Sequence, residues 1–329
     1  MAEMKTGRIA GWHKLSSILV TFRLTPESGS PFPDYVAGQY IALRRENCQL
    51  TRKVVENGET TYVQDLDASG KPKLGPITHS YSIASAPFET RKGGDLEFYV
   101  VLELDADGTP GRLTRSLFET DPPANDKLLY VNRITGSFTL DDRADGRSSV
   151  LLVGTGTGLA PFIAMIKQID FEARQGRKID VKYTVLHTNR SFEELAYHEE
   201  LLDIEKAQRF DFRYIASVSR PTERDLNDPQ IGSGRANNVL RHIFNMPLKE
   251  EEDLQAAIAK GGDPARAKAT LAKTIKPSLP KSLNMTQADL QKRFVPSETA
   301  VLTCGNPWGM ADIGFISEKH GARFEKEDW

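Results

Sequence analysis

The chain has 329 residues, 39% hydrophobic and 27% charged, with a net charge of −2. That length allows two cores, since single cores stop growing at about 250–300 residues, and the composition excludes a mostly disordered chain. The near-zero charge gives no global reason to expect nucleic acid, and two cysteines, Cys48 and Cys304, are too few for the roughly four thiolates of an iron–sulfur cluster. Scarce cysteines fit a reducing compartment. Residues 1–17 carry no apolar signal core, and no stretch approaches the roughly 18–20 apolar residues of a span. The expected location is the cytoplasm, without membrane insertion.

Residues 5–142 read as short β-branched and aromatic runs, at 18–24, 39–43 and 96–101. Breakers such as Pro31, Pro33, Gly38, Gly93-Gly94 and Pro122-Pro123 bound them. This punctuation predicts an antiparallel β-barrel. A polar stretch at about 44–78 reads as an insertion, with a hairpin around Asn57-Gly58. The next segment, His79-Ser80-Tyr81-Ser82, is a short aromatic and hydroxyl strand suited to a flavin, although Tyr81 alone is an ordinary strand aromatic. A helix is expected at 113–119, after Gly111.

From residue 148 the pattern is β–α alternation, which assigns 1–147 to the barrel domain and 148–329 to an α/β domain. Val150-Leu151-Leu152-Val153 is a continuous apolar run, as for a strand covered on both faces. Further strands are expected at 181–187, 210–217 and 300–304, and helices at 159–175, 192–208 and 236–244. Together they predict a doubly wound parallel sheet. Residues 248–297 form a second insertion, in which Glu250-Glu251-Glu252-Asp253 suits a helix start and Thr286 with Asp289 a capping box. Lys260, Arg266, Lys268, Lys273, Lys276 and Lys281 make its middle basic: a solvated helical surface or a docking face for an acidic partner.

Gly154-Thr155-Gly156-Thr157-Gly158 falls between a predicted strand and a predicted helix. Glycines there let the backbone approach a pyrophosphate, and a helix N-terminus supplies free N–H groups and partial positive charge. The bland alternative is a tight turn without a ligand. Arg190, Ser219-Arg220 and Arg235 follow the later strands, along the same sheet edge. Three guanidinium groups and a hydroxyl suit a 2′-phosphate, predicting NADP; an acidic residue there would favour NAD.

Outside the two insertions, the chain resembles the ferredoxin–NADP+ reductase family over most of its length. The matching segments are Tyr81-Ser82, Gly111-Arg112-Leu113-Thr114, Gly136-Ser137-Phe138, Cys304-Gly305-Asn306-Pro307 and a terminal Glu327-Asp328-Trp329. The resemblance implies FAD and NADP(H) as cofactors. It puts Tyr81 and Trp329 on opposite faces of the flavin ring and Ser82 near its N5. Gly111, Leu113 and Thr114 fall at the flavin phosphates, and Cys304, Gly305 and Glu327 at the nicotinamide, with Glu325 competing for the role of Glu327. Two positions depart from the family. His79 stands where Arg is usual, leaving Arg112 or Arg115 to supply a permanent charge, and the terminal aromatic is Trp where plant-type members have Tyr.

The activity implied by the resemblance is hydride transfer between NADPH and FAD, coupled to one-electron exchange with ferredoxin or flavodoxin. Trp329 would leave the flavin before nicotinamide stacks. Arg44, Arg45 and Lys53 are candidate contacts for an acidic carrier. The alternatives are the NAD(P)H-dependent reductase component of an oxygenase or cytochrome system, and a non-catalytic dinucleotide sensor. No metal site is expected.

Overall fold

A computed structural model describes residues 3–27, 29–56, 59–105, 108–120, 125–261 and 263–327 and divides the chain into two units, Met1–Gly136 and Ser137–Trp329. The strands of the first are β1 (Met4–Lys14), β2 (Leu19–Pro26), β3 (Tyr40–Gln49), β4 (Thr51–Glu56), β5 (Glu59–Gln64), β6 (Leu74–Ser82), β7 (Leu96–Val101) and β8 (Lys127–Thr135). Side-chain alternation sets their inner face: along β2, Val20, Phe22 and Leu24 are buried while Arg23 and Thr25 are exposed. Six strands pair antiparallel in the order β6-β3-β8-β1-β2-β7. The sheet curls until Ala84, just past β6, donates its N–H to the Glu97 carbonyl of β7 at 2.8 Å. This is the predicted barrel. Helix α1 (Pro87–Gly93) follows β6, and α2 (Arg112–Phe118) adds Leu113 and Leu117 to the core around Phe22, Phe98 and Tyr130.

The expected insertion at 44–78 is narrower than its polarity suggests. β3 and β6 stay paired through Arg44↔Thr78, Arg45↔Ile77, Cys48↔Gly75 and Gln49↔Leu74, and only β4 and β5 form a separate two-stranded sheet. A register shift between Arg45 and Cys48 breaks the alternation that would have marked the strand. The Asn57-Gly58 turn and Pro122-Pro123 lie outside the described residues.

In the second unit β9 (Ser149–Thr155), β10 (Lys182–Asn189), β11 (Phe212–Val218), β12 (Ile231–Ser233), β13 (Thr299–Cys304) and β14 (Arg323–Lys326) run parallel, in the order β12-β11-β10-β9-β13-β14. The chain winds outward from β9 to β12, then returns to place β13 on the other flank of β9. That reversal is the strand-order switch where ligands of such sheets bind, beyond the carboxyl ends. The helices are α3 (Leu140–Arg143), α4 (Ala160–Arg174), α5 (His198–Ala207), α6 (Glu223–Asn227), α7 (Ala236–Ile243), α8 (Lys249–Ala259), α9 (Ala265–Ala272), α10 (Gln287–Arg293) and α11 (Pro307–His320). α7, α10 and α11 bury Leu151, Val153, Leu186, Ile215 and Val301 on one face. On the other, α4 and α5 are joined by Lys167 and Glu200 at 3.7 Å, and His198 of α5 meets Tyr214.

Two further expectations shift. The division falls at Gly136/Ser137, not at 147/148, because Phe138 packs on Phe162 and Arg143 pairs with Glu325 at 3.0 Å, so polar residues 137–147 ride with the second unit. The helix expected at 192–208 is a 3-10 turn, Phe192–Glu194, followed by α5, because Tyr197 takes a left-handed conformation (φ 61°) between them. The insertion at 248–297 is helical as expected, and Thr286 caps α10 by accepting from the Asp289 N–H while Asp289 accepts from the Thr286 N–H. Between α9 and α10 the insertion pairs with the sheet: Ser278 and Ser233 exchange backbone hydrogen bonds at 2.9 and 3.1 Å, covering part of the β12 edge. Among the described residues no helix is long and apolar enough to cross a membrane, and no cluster of metal-ligating side chains occurs.

Candidate functional site

In the first unit Tyr81 and Ser82 end β6, opposite Ile41 and Tyr40 of β3. Tyr81 is half-buried against the barrel core, Ser82 is buried and His79 is exposed. Burial, reinforced by Glu103 and Cys48, pushes the Tyr81 phenol well up, so it stays neutral at any physiological pH. Gly111 opens α2 and accepts from the Thr114 hydroxyl at 3.2 Å. The Leu113 side chain belongs to the core, leaving only its backbone for a ligand. Glu103 borders both Tyr81 and Gly111 and brings negative charge to this corner. Arg112 is half-buried with no acidic partner among the described residues, whereas Arg115 is held by Glu119 at 2.9 Å.

The three cations considered for an acidic carrier separate. Arg45 is 7% exposed and donates to Asn125 Oδ1 and Thr120 Oγ1, both at 2.7 Å; it braces the barrel and is no docking charge. Arg44 pairs with Glu46 at 2.9 Å. Lys53 is exposed and has no acidic partner among the described residues.

The glycine loop of the second unit is shaped by contact with the end of β13. β9 ends at Thr155, and Gly156, Thr157 and Gly158 form a 3-10 turn that runs into α4. A Cβ on Gly158 would run into the carbonyl of Cys304, and one on Gly305 (φ 131°) into Thr155. A Cβ on Gly154 would lie 2.9 Å from the Cα of Leu159. Thr155 Oγ1 accepts from the Asn306 N–H at 2.9 Å, and Asn306 Oδ1 caps α11 through the N–H groups of Trp308 and Gly309. Two predicted motifs thus interlock at the strand-order switch. In front of them lies open space, since a Cβ on Gly156 would meet nothing within 4 Å. A helix start with room in front of it for a backbone-hugging ligand fits a dinucleotide phosphate.

Behind this loop the Cys304 thiol donates to Glu327 Oε2 at 3.3 Å, and both residues are buried. Burial and the carboxylate push the thiol well above its ordinary value, so Cys304 is a neutral donor and not a thiolate nucleophile. Glu325, the competing acid, is held by Arg143 and Arg323, each at 3.0 Å. Trp329 lies outside the described residues.

The predicted phosphate-binding arginines do not act as a set. Arg190 is tied through Nε, at 2.7 Å, and Nη2 to the buried carboxylate of Glu194. Arg220 is exposed. Ser219 and Arg235 do come together: they line a cavity of about 390 Å³ whose other wall is α9 of the insertion, with Arg266, Thr270 and Lys273. The sequence held a signal for these last residues, the basic run, but not for where the run would fold. Beside Gly154, its register partner, His187 is fully buried with His198 next to it; Nδ1 of each ring lies near Tyr214 Oη, at 3.4 and 3.2 Å. Burial, then the neighbouring His198, lowers His187 to about 3.

Residues 152–261 match the family of oxidoreductase NAD-binding domains. Ferredoxin–NADP reductase A of Sorangium cellulosum is 32% identical over 152 residues, 44% of this chain and 49% of that protein. A flavohemoprotein of Oceanobacillus iheyensis is 22% identical over 241 residues, 70% of this chain and 50% of that protein. The chain spans about half the length of these curated relatives. A solved ferredoxin NADP+ reductase from Neisseria gonorrhoeae with bound FAD and NADP shares the fold, with a TM-score of 0.58 over 99% of each chain at 20% identity. The resemblance to ferredoxin–NADP+ reductases and the two-part fold expected from the sequence are borne out.

Proposed function

We propose that the chain is an NADPH-dependent flavin oxidoreductase that exchanges electrons with a ferredoxin or flavodoxin. The observation that carries this reading is the interlock of Cys304-Gly305 with Gly158 at the strand-order switch, backed by a thiol–carboxylate pair. Bound FAD would supply the exchange between a two-electron hydride donor and a one-electron carrier. Tyr81 would offer the ring a flat, neutral face, Ser82 a hydroxyl, and the Gly111–Thr114 turn its backbone N–H groups, with Arg112 offsetting Glu103 where His79 replaces the family arginine. Thr155, Gly156, Thr157 and Gly158 would hold the pyrophosphate of NADPH. Cys304 would present an uncharged S–H donor, kept in orientation by Glu327, at the nicotinamide end. The terminal Trp329 would cover the flavin. Two buried, unbridged cysteines suit a cytoplasmic setting.

A second reading, the reductase part of an oxygenase or cytochrome system, draws on the flavohemoprotein similarity. The test is anaerobic reduction of purified protein by NADPH and by NADH, followed in the flavin absorbance band, with a ferredoxin then offered as acceptor. NADPH is expected to bleach the band at least about tenfold faster, the worth of one charge-assisted contact to the extra phosphate. Equal rates would favour the second reading. A protein that stays colourless after incubation with FAD would overturn both and leave a nucleotide sensor.

A further inference from the structure

We propose that the insertion supplies the specificity for the phosphorylated nucleotide: Arg266 and Lys273 of the α9 wall, with Arg235 and the hydroxyls of Ser219 and Thr270, bind the 2′-phosphate of NADP(H). The inference rests on the NADPH reading above and adds to it residues beyond the matched nucleotide-domain segment, which ends at 261.

Arg266, Thr270 and Lys273 are spaced four and three residues apart, so one face of the helix presents all three. That face closes the cavity opposite Ser219, which follows β11, and Arg235, which precedes α7. The other basic residues of the insertion, Lys260, Lys268, Lys276 and Lys281, do not line it. Neither Arg266 nor Lys273 has an acidic partner among the described residues, and the carboxylate beside Arg235, Glu250, is 3.7 Å away and already accepts from Asn238. Three cations gathered from two distant stretches around one concavity repel each other unless an anion joins them. A solvated basic surface would have no reason to converge in this way.

The wall is fixed to the sheet. Ser233 and Ser278 exchange two backbone hydrogen bonds, and Ser233 Oγ donates to the Lys276 carbonyl at 2.7 Å. Gly232 and Gly234 leave room for that segment to pass: a Cβ on the first would run into the Ser278 carbonyl, and one on the second would lie 3.0 Å from Pro277 Cα. The cavity volume of about 390 Å³ falls within the roughly 300–1,000 Å³ of small-ligand sites. A phosphomonoester dianion carries the charge and the three acceptor oxygens that guanidinium, ammonium and hydroxyl groups satisfy together.

The test is calorimetric titration of the intact protein with adenosine 2′,5′-bisphosphate and with 5′-AMP, for the wild type, Arg266→Gln, Lys273→Gln, the double variant and Lys268→Gln. The wild type should bind the bisphosphate at least about 100-fold tighter than 5′-AMP, and each single substitution should weaken the bisphosphate roughly tenfold while leaving 5′-AMP unchanged. Lys268→Gln, on the same helix but off the cavity, should behave as wild type. Melting temperatures of all variants establish that they fold. A double variant that binds the bisphosphate like wild type overturns the role of α9 and leaves the NADPH reading standing. A wild type with no preference for the bisphosphate overturns that reading, and the inference with it.

Discussion

The carboxyl edge of the parallel sheet carries two sites made by different means. At its centre, between β9 and β13, the Gly154–Gly158 loop and Cys304-Gly305 fit backbone against backbone, and the shape is fixed by what glycine lacks. At its far end, beyond β11 and β12, the cavity is walled by exposed side chains from a helix that the core does not need. The first is a packing solution, so substitutions there act on stability as well as binding. The second is a charge solution, so substitutions there act on binding alone. One edge can therefore keep a common nucleotide seat while an insertion adjusts which nucleotide it accepts.

The sharpest way to break this contrast is at Gly158. Gly158→Ala drives a methyl group into the Cys304 carbonyl, where two backbones would have to part. Such overpacking should cost at least about 3 kcal/mol, or roughly 6–12 °C of melting temperature in a unit of this size. Gly156→Ala is the comparison: its methyl meets open space, and only the left-handed φ of 58° opposes it, for about 1 kcal/mol. Thermal melts of the two variants falling by the same amount would show that conformation and not contact dictates glycine here.

A smaller effect comes from acid. His187 titrates near 3 in the folded protein against an ordinary 6.5, because burial disfavours its charge and His198 adds to that. Below pH 6.5 the unfolded chain therefore takes up a proton that the folded one refuses until about pH 3. The stability so contributed is complete above about pH 6.5 and is lost progressively as pH falls toward 3. At pH 5 this amounts to about 2 kcal/mol. Denaturant melts at pH 7 and pH 5 measure it: in His187→Gln the fall in stability between the two should be smaller by that amount. Equal falls in variant and wild type would sink it.

How far the sequence revealed these sites follows the same divide. Gly154–Gly158 and Cys304-Gly305 were legible because strand, glycine turn and helix start are local, and a backbone too close for a Cβ leaves glycine in the sequence. The barrel was legible through alternation, except where the shift between Arg45 and Cys48 broke the phase. Arg190 read as a free strand-end cation, although Glu194, four residues on in a 3-10 turn that reads as helix, pairs with it. Arg45 read as a surface cation, although Asn125 and Thr120, far along the chain, bury it. The α9 wall was visible only as positive charge. Its position depends on Ser278 meeting Ser233, 45 residues apart, and nothing in the composition of either segment announces that pairing.

That pairing is also where the smallest expected effect lies, and it separates a docked wall from one that merely lies near. Ser278 Oγ sits 2.9 Å from Ser233 Oγ and accepts from the Ser233 N–H at 3.1 Å, alongside the backbone bonds. Ser278→Ala removes this brace but keeps the two backbone hydrogen bonds, at a cost of about 0.5–1 kcal/mol. Because α9 contributes no buried residue to the core, global unfolding should hardly change, and the loss should appear as local opening. Amide exchange in α9 is then expected to quicken by roughly two- to fivefold, with a similar weakening for adenosine 2′,5′-bisphosphate and none for 5′-AMP. Faster exchange with unaltered bisphosphate affinity would mean that the cations find the phosphate without a fixed wall, and that charge alone suffices at this end of the sheet.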